Sequence, residues 1–208
     1  MTLTHVTAQW LKPLAAFFLA AMVLSGCALT SSEDLLTEAE LVTPFGDATT
    51  VYIYEPTDTG YARTPDAPTV LTLTDKTYSS GPDSAIRFAP FDDTPGRYLM
   101  SINDELGYHY GLVDVDDGGI ARLRMIMTGG GDFAVQKYLE GAGAAHAAGV
   151  EFDYQQIKVL DRETLDDLLS RFLDGTIPTQ ALVVYIATSP DDAAPETIRR
   201  DGETLTAG

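Results

Sequence analysis

The chain has 208 residues, of which 45% are hydrophobic, and this composition is typical of a globular protein rather than a disordered one. Its formal net charge is −18, which would repel phosphate backbones, so a nucleic-acid partner is not expected. The single cysteine excludes a disulfide within the chain.

An apolar run near the N-terminus, Pro13–Leu24, ends directly before Ser25-Gly26-Cys27. The run is shorter than the ~20 residues that a membrane-spanning helix needs, so residues 1–26 are predicted to be a signal peptide. The segment Leu24-Ser25-Gly26-Cys27 resembles, at all four positions, the lipobox of bacterial lipoprotein precursors.

The resemblance implies that the sulfur of Cys27 receives a diacylglyceryl group, that a type II signal peptidase cuts before it, and that the new amino group is acylated. Two or more acyl chains give stable anchoring, so the implied partner is a membrane held through the lipid on Cys27. The family's inner-membrane retention signal is typically Asp at the next position, which is Ala28 here. The resemblance therefore favours an outer membrane, on its periplasmic side, over the inner membrane.

Beyond the leader, the composition predicts three parts. Residues 27–48 are expected to form the lipidated cysteine, a tether and a short helix that begins after Ser31-Ser32. Residues 49–188 are expected to form a single β-rich domain. Residues 189–208 are rich in Pro, Asp and Glu and are expected to form a disordered acidic tail.

Alternating or continuous apolar residues predict the strands of this domain, and longer amphipathic stretches predict its helices. The predicted strands are Val51–Tyr54, Val70–Thr74, Ala85–Phe88, Arg97–Asn103, Tyr108–Val115, Ile120–Met127, Val150–Leu160 and Leu182–Ala187. The clearest helix follows Asp161 and ends before Gly175, and a shorter one is predicted over Phe133–Glu140. We expect a β-dominated α+β fold, in which an antiparallel meander forms a small barrel or sandwich with one C-terminal helix packed on it.

The acidic loop after Val115 predicts a hairpin and a register. If Asp117-Gly118 is its two-residue turn, Leu112 lies opposite Leu123, and the preceding hairpin places Leu99 beside Leu112. The leucines then face the core. The other face carries the candidate binding residues Tyr98, Met100, His109, Arg122 and Arg124.

Arg122 and Arg124 project from alternate positions of one strand in an otherwise acidic chain. Beside aromatic side chains, such a pair is typical of a surface that binds an anionic or sugar-like ligand. The alternative is that the arginine stems cover the sheet while the guanidinium groups pair with the surplus of Asp and Glu.

Other patterns favour structural interpretations. Asp114–Gly119 has the acidic spacing of part of a calcium loop, but Gly118 occupies a ligand position, so an acidic hairpin turn is favoured. Gly129-Gly130-Gly131 lacks the lysine of a nucleotide-binding loop and is expected to be a joint. His109 and His146 have no ligand spacing, so neither a metal site nor a cofactor is expected.

The leading functional hypothesis is a membrane-anchored envelope lipoprotein that acts as a non-catalytic binding or scaffolding module, with an envelope protein or polymer as its partner. One alternative is a hydrolase of an envelope polymer that uses a carboxylate pair. The other is a small-ligand carrier that uses the mouth of a barrel. A deep apolar pocket would favour the carrier, a buried acid pair the hydrolase, and a filled core with a shallow exposed face the binding module.

Overall fold

The computed structural model describes residues 29–82, 84–104, 107–125, 149–153, 156–175, 180–187, 194–201 and 204–207. The predicted signal peptide, Cys27, the Gly129-Gly130-Gly131 joint, the helix over Phe133–Glu140 and His146 lie outside the described residues.

Within these residues, the chain forms a succession of strands and one helix. They are β1 Leu29–Ser31, β2 Ala48–Thr57, β3 Gly60–Arg63, β4 Thr69–Thr74, β5 Thr77–Gly81, β6 Ser84–Pro90, β7 Arg97–Asp104, β8 Gly107–Val115, β9 Ile120–Met125, β10 Val150–Asp153, β11 Gln156–Val159, α1 Arg162–Leu173, β12 Gln180–Ala187, β13 Thr197–Asp201 and β14 Thr204–Ala207. In this part of the chain, no helix combines the length and the apolar character needed to cross a membrane.

Eight of the strands close into an antiparallel barrel. Their order is β8-β7-β6-β5-β4-β2-β12-β9, and β9 pairs back with β8. Closure removes the free strand edges that an open sheet would present. The predicted β-dominated α+β fold is confirmed, and the meander takes the barrel form rather than the sandwich.

Alternate residues of the barrel strands point inward and form what we call the barrel core. Its buried members are Phe45, Leu71, Tyr78, Ile86, Phe88, Met100, Ile102, Val113, Ala121, Met125, Val184 and Ile186. Phe45 enters from the segment before β2: its N–H donates to the hydroxyl of Tyr78 at 3.0 Å, and its ring meets Phe88 edge-on with centroids 5.1 Å apart.

A second cluster, the helix-side core, lies on the outer face of the barrel beneath β1, β10, β11 and α1. It contains Leu29, Leu36, Leu41, Ala89, Leu99, Tyr110, Leu112, Val150, Ile157, Val159, Leu165, Leu168 and Leu169. The helix is capped as predicted, because Oδ1 of Asp161 accepts the N–H of Thr164 at 2.8 Å and Gly175 has a φ of 80°. The single strand predicted over Val150–Leu160 is wrong, since this segment is the hairpin β10–β11.

The tether predicted after Cys27 is wrong for its described part. Leu29 to Ser31 form β1, which pairs with β8 on one side and β11 on the other, and Leu29 is fully buried. No helix follows among residues 32–47. The leucines that suggested a helix, Leu36 and Leu41, instead pack into the helix-side core from irregular backbone.

A third cluster, the hairpin-side core, lies on the outer face of β2, β9 and β12 beneath β3, β13 and β14. Its buried members are Tyr54, Tyr61, Ile120, Val183, Ile198 and Leu205. The disordered tail predicted over 189–208 is therefore wrong for its described part, because β13 and β14 form a paired hairpin there. Burial of Ile198 and Leu205 stabilises this hairpin against the barrel wall.

Candidate functional site

A groove of about 340 Å³ lies on the outer wall of the barrel, beside the hairpin-side core. It is lined by Thr94, Pro95, Gly96, Arg97, Asp114, Val115, Asp116, Ile120, Arg122, Arg124 and Leu205. We call it the arginine groove, because three of the nine arginines in the chain line it.

The strand register brings the charged side chains of the groove together. Arg97 of β7 lies opposite Asp114 of β8, and Asp114 lies opposite Arg122 of β9. Directly opposed residues share one face of a sheet, so these three form a row on the outer wall. Arg124 lies two residues further along β9 and therefore projects from the same face.

Asp114 is shared by two arginines, one on each carboxylate oxygen. Its Oδ1 accepts a hydrogen bond from Nε of Arg97 at 2.6 Å, and its Oδ2 forms an ion pair with Nη2 of Arg124 at 2.9 Å. All three side chains keep about a quarter of their surface exposed, at 22%, 23% and 25% for Arg97, Asp114 and Arg124. The pairs are therefore partly desolvated. Among the described residues, Oδ2 of Asp114 is buried and has no hydrogen-bond partner, so its contact with Arg124 is an ion pair only.

The loop before β7 holds Arg97 from a second side. Nη1 of Arg97 donates to Oδ2 of Asp92 at 3.0 Å. Burial lowers the pKa of Arg97, but its hydrogen bonds to Asp114 and Asp92 outweigh this effect, so the pKa lies above its ordinary value. Burial likewise raises the pKa of Asp92, but the Thr94 and Arg97 donors bring that pKa below its ordinary value. Each shift favours the charged form of its group.

The floor of the groove depends on one close backbone contact. The carbonyl of Gly96 accepts the N–H of Val115 at 2.8 Å, and Gly96 has a φ of 78°. A Cβ at this position would overlap the carbonyl oxygen of Val115. Only glycine therefore lets the loop approach β8 this closely.

Asp116, at the edge of the groove, is a turn residue. Its Oδ1 accepts the N–H groups of Gly118 at 2.9 Å and Ile120 at 2.8 Å. The acidic loop is therefore a hairpin turn in which Asp116 binds backbone N–H groups, and this was the interpretation that the sequence favoured over a calcium loop. The described residues contain no group of three or more His, Cys, Asp or Glu side chains that could hold a metal ion.

The predicted binding face does not exist as one surface, because the register predicted for β8 and β9 is wrong by one residue. Leu112 lies opposite Arg124, not Leu123. Arg122 and Arg124 therefore lie on the outer wall, whereas Met100 belongs to the barrel core and Tyr98 packs against that core.

The cause of the shift is the turn. The N–H of Gly119 donates to the carbonyl of Asp116 at 3.1 Å, the N–H of Asp116 donates to the carbonyl of Ile120 at 3.0 Å, and Gly119 has a φ of 79°. This is a three-residue loop, in which a turn is followed by a glycine bulge, rather than a two-residue turn at Asp117-Gly118. The extra residue exchanges the two faces of β9 relative to β8.

His109 is separated from the arginines as well. It is fully buried opposite Ile102, and its Nε2 lies 3.1 Å from Oδ1 of Asp104. Its Nδ1 is buried without a hydrogen-bond partner. The residue therefore belongs to the wall of the barrel and takes no part in the arginine groove.

One small cavity lies among the side chains of the barrel core. The cavity described within it has a volume of about 70 Å³ and is lined almost entirely by apolar side chains, among them Phe45, Phe88 and Met100. Pockets that bind small molecules typically measure about 300–1,000 Å³. The cavity described here is therefore smaller than such a pocket.

The structure adds three residues that sequence reasoning missed: Arg97, Asp114 and Leu205. For the first two, the signal was present. Pairing Leu99 with Leu112, which was predicted correctly, also places Arg97 opposite Asp114 two residues away. The burial of Leu205 could not be predicted, because its segment has the composition of a disordered tail.

Comparison of the chain with protein-family models, with curated proteins and with solved structures gives no match. The function is therefore inferred from the residues and their geometry.

Proposed function

We propose that this protein is a membrane-anchored envelope lipoprotein whose folded domain is a non-catalytic binding or scaffolding module. The anchor is the lipid on Cys27, and the membrane is the outer membrane on its periplasmic side. The partner is an envelope protein or polymer. The arginine groove is the binding surface of the module.

The observation that carries the proposal is the concentration of arginines in one groove of an acidic protein. Arg97, Arg122 and Arg124 line it together with Asp114 and Asp116, and Asp92 pairs with Arg97 beside it. The whole chain has a net charge of −18. Partly buried arginines on a concave surface are typical of a recognition site rather than of general solubility.

The two alternatives need features that the described geometry does not favour. A carrier needs a ligand-sized cavity, and the cavity described inside the barrel measures only about 70 Å³. A hydrolase of the proposed type needs a carboxyl kept protonated beside another acid. Asp114 instead pairs with Arg97 and Arg124 rather than with a second acid.

The anchor is tested by metabolic labelling with an alkyne fatty acid. The Cys27→Ala variant is expected to lose all label and to accumulate as precursor. Ser25→Ala, which keeps a small residue at its place in the lipobox, is the matched control and is expected to keep the label. Persistent labelling of Cys27→Ala would exclude the proposed anchor.

The binding surface is tested by cross-linking and capture of envelope partners with the full chain in detergent. The double variant Arg122→Gln/Arg124→Gln is expected to lose the partner that the wild type captures. The control Arg63→Gln/Arg171→Gln makes the same change in net charge at arginines that pair with Glu196 and Asp167 outside the groove. Equal capture by both variants would show that the groove is not the binding surface.

A further inference from the structure

We infer that β1 docks on the barrel only after Cys27 has been lipidated and the signal peptide has been removed, so that processing precedes completion of the fold. The inference rests on the proposed function, since it concerns the maturation of the proposed anchor. It is carried by three features: the burial of β1, its short distance from Cys27, and a barrel that closes without it.

The first feature is the burial of β1. Leu29 is fully buried in the helix-side core, and Thr30 and Ser31 are each 5% exposed. The strand is also paired on both edges, because Thr30 lies opposite His109 of β8 and opposite Lys158 of β11. In the folded domain, the side chains and both edges of β1 are therefore occupied by the protein itself.

The second feature is distance. Only one residue, Ala28, stands between Cys27 and Leu29, so less than about 8 Å of backbone joins the reacting residue to the barrel wall. A single helix with its side chains is about 10–12 Å across. One layer of an enzyme that surrounds Cys27 is therefore thicker than the space that the docked strand leaves for it.

Both reactions that the anchor requires need an enzyme at Cys27. In the first, its sulfur forms a C–S bond with the glyceryl carbon of a phospholipid, the C–O bond to the phosphate breaks, and the thiol proton passes to the released phosphate. In the second, water splits the peptide bond between Gly26 and Cys27 into a carboxyl and an amino group. An active site holds reacting atoms about 3–3.5 Å apart, so each enzyme has to enclose Cys27 closely.

The third feature is that the barrel closes without β1. Its ring runs from β8 through β7, β6, β5, β4, β2 and β12 to β9, whereas β1 lies outside the ring between β8 and β11. Undocking of β1 removes Leu29 from the helix-side core and leaves the members of the barrel core in place. The barrel is therefore able to form while its N-terminus is still held by the processing enzymes.

The segment after β1 has its own contacts with the barrel, and these mark how far the strand can be released. The hydroxyl of Tyr110 accepts the N–H of Leu35 at 2.9 Å and donates to the carbonyl of Glu33 at 3.1 Å. Oδ2 of Asp34 accepts from Nη1 of Arg87 at 2.9 Å. The six residue steps from Glu33 back to the cysteine span up to about 22 Å when β1 is undocked, which exceeds the thickness of one enzyme layer.

The test uses the purified full-length precursor, folded in detergent micelles that contain phosphatidylglycerol, together with a purified diacylglyceryl transferase of lipoproteins. The rate of lipidation is read from the mass that the chain gains. A spacer variant carries a flexible Gly-Ser segment of about ten residues between Ala28 and Leu29. We expect the wild type to be lipidated at least tenfold more slowly than the spacer variant, because its thiol is reached only when β1 undocks.

A second comparison loosens β1 without changing any residue near the lipobox. Ile157 of β11 lies opposite Leu29 and is 3% exposed in the helix-side core, so Ile157→Ala weakens the docking of β1. The matched control Ile198→Ala makes the same change in the hairpin-side core, where Ile198 is 1% exposed. We expect Ile157→Ala to be lipidated at least threefold faster than the wild type, and Ile198→Ala at the wild-type rate.

Two results would overturn the inference: a wild-type precursor that is lipidated as fast as the spacer variant, and an Ile157→Ala variant that is no faster than Ile198→Ala. In either case the anchor stands and only the order of events fails. If Ile157→Ala does not fold, the comparison of the wild type with the spacer variant still decides the question. If even the spacer variant is not lipidated, Cys27 is not a substrate, and the proposed anchor and the inference fail together.

Discussion

Arg97 of β7 lies directly opposite Asp114 of β8, and its Nε donates to Oδ1 of that carboxylate at 2.6 Å. The opposite oxygen of Asp114 forms an ion pair with Arg124 of β9. One carboxylate therefore links three adjacent strands of the barrel wall through side chains as well as through the backbone.

Replacing Asp114 with Asn is expected to destabilise the protein by about 1–3 kcal/mol, because two partly buried guanidinium groups lose their common counter-ion. Urea unfolding of the full chain in detergent measures this loss. Asp167→Asn is the control, since it breaks only an exposed pair with Arg171 on α1 and should cost less than about 0.5 kcal/mol. Equal losses in the two variants would mean that the Asp114 pairs behave as surface pairs.

The turn at Gly119 is expected to be intolerant of side chains. Gly119 has a φ of 79°, and a Cβ there would lie 2.8 Å from the carbonyl oxygen of Ile186. Gly175 has a similar φ of 80° but open space around it. Gly175→Ala should therefore cost about 1 kcal/mol from the backbone conformation alone, and Gly119→Ala clearly more. Thermal unfolding compares the two, and an equal cost would contradict the close contact with β12.

The C-terminal hairpin is expected to be part of the stable fold. Ile198 is 1% exposed in the hairpin-side core, so Ile198→Ala should cost about 2–4 kcal/mol. Thr206→Ala, at an exposed position of β14, serves as the control and should cost less than about 1 kcal/mol. Denaturant unfolding measures both. A negligible loss of stability in Ile198→Ala would contradict the packed hairpin and favour the disordered tail that the composition predicts.

Alkaline pH is expected to weaken the same core. Burial raises the pKa of Tyr54 to about 12, despite the nearby positive charge of Arg63, and its hydroxyl donates to the carbonyl of Pro195. Because the pKa is higher in the folded than in the unfolded state, the stabilisation is complete below about pH 10 and is lost as the pH rises to 12.

The measurement is the difference in unfolding free energy between the wild type and Tyr54→Phe as a function of pH. Other buried tyrosines titrate in both proteins, so their contributions largely cancel in the difference. We expect the difference to be constant below about pH 10 and then to change by up to about 3 kcal/mol against the wild type. A difference that stays constant up to pH 12 would rule out the raised pKa of Tyr54.

Much of the barrel could be predicted because its strands alternate strongly. The pairing of Leu99 with Leu112 followed from two alternating segments and a short connection, and it holds. The register predicted for the next hairpin, between β8 and β9, is wrong because Asp117-Gly118 and Gly118-Gly119 are both acceptable turn sequences. Local sequence does not decide between a two-residue and a three-residue loop, yet the choice decides which face Arg122 and Arg124 share.

The two satellite cores could not be predicted from local patterns. Leu29 forms a strand only because β8 and β11 supply partners from distant parts of the chain. Ile198 and Leu205 are isolated among polar residues, and they are buried by contacts with residues that are distant in sequence, such as Tyr54 and Ile120. Such non-local burial leaves no periodic signal in the sequence.

The burial of Leu29 limits the distance that the folded domain can reach from the membrane if Cys27 carries the proposed anchor. Leu29 follows Cys27 by two residues, and each residue of an extended chain spans at most about 3.6 Å. The backbone between Cys27 and Leu29 is therefore shorter than about 8 Å. A lipid on Cys27 would hold the barrel in the layer next to the headgroups, where it could diffuse sideways but not reach outward. A partner would then have to come to the membrane, and encounters would take place in two dimensions.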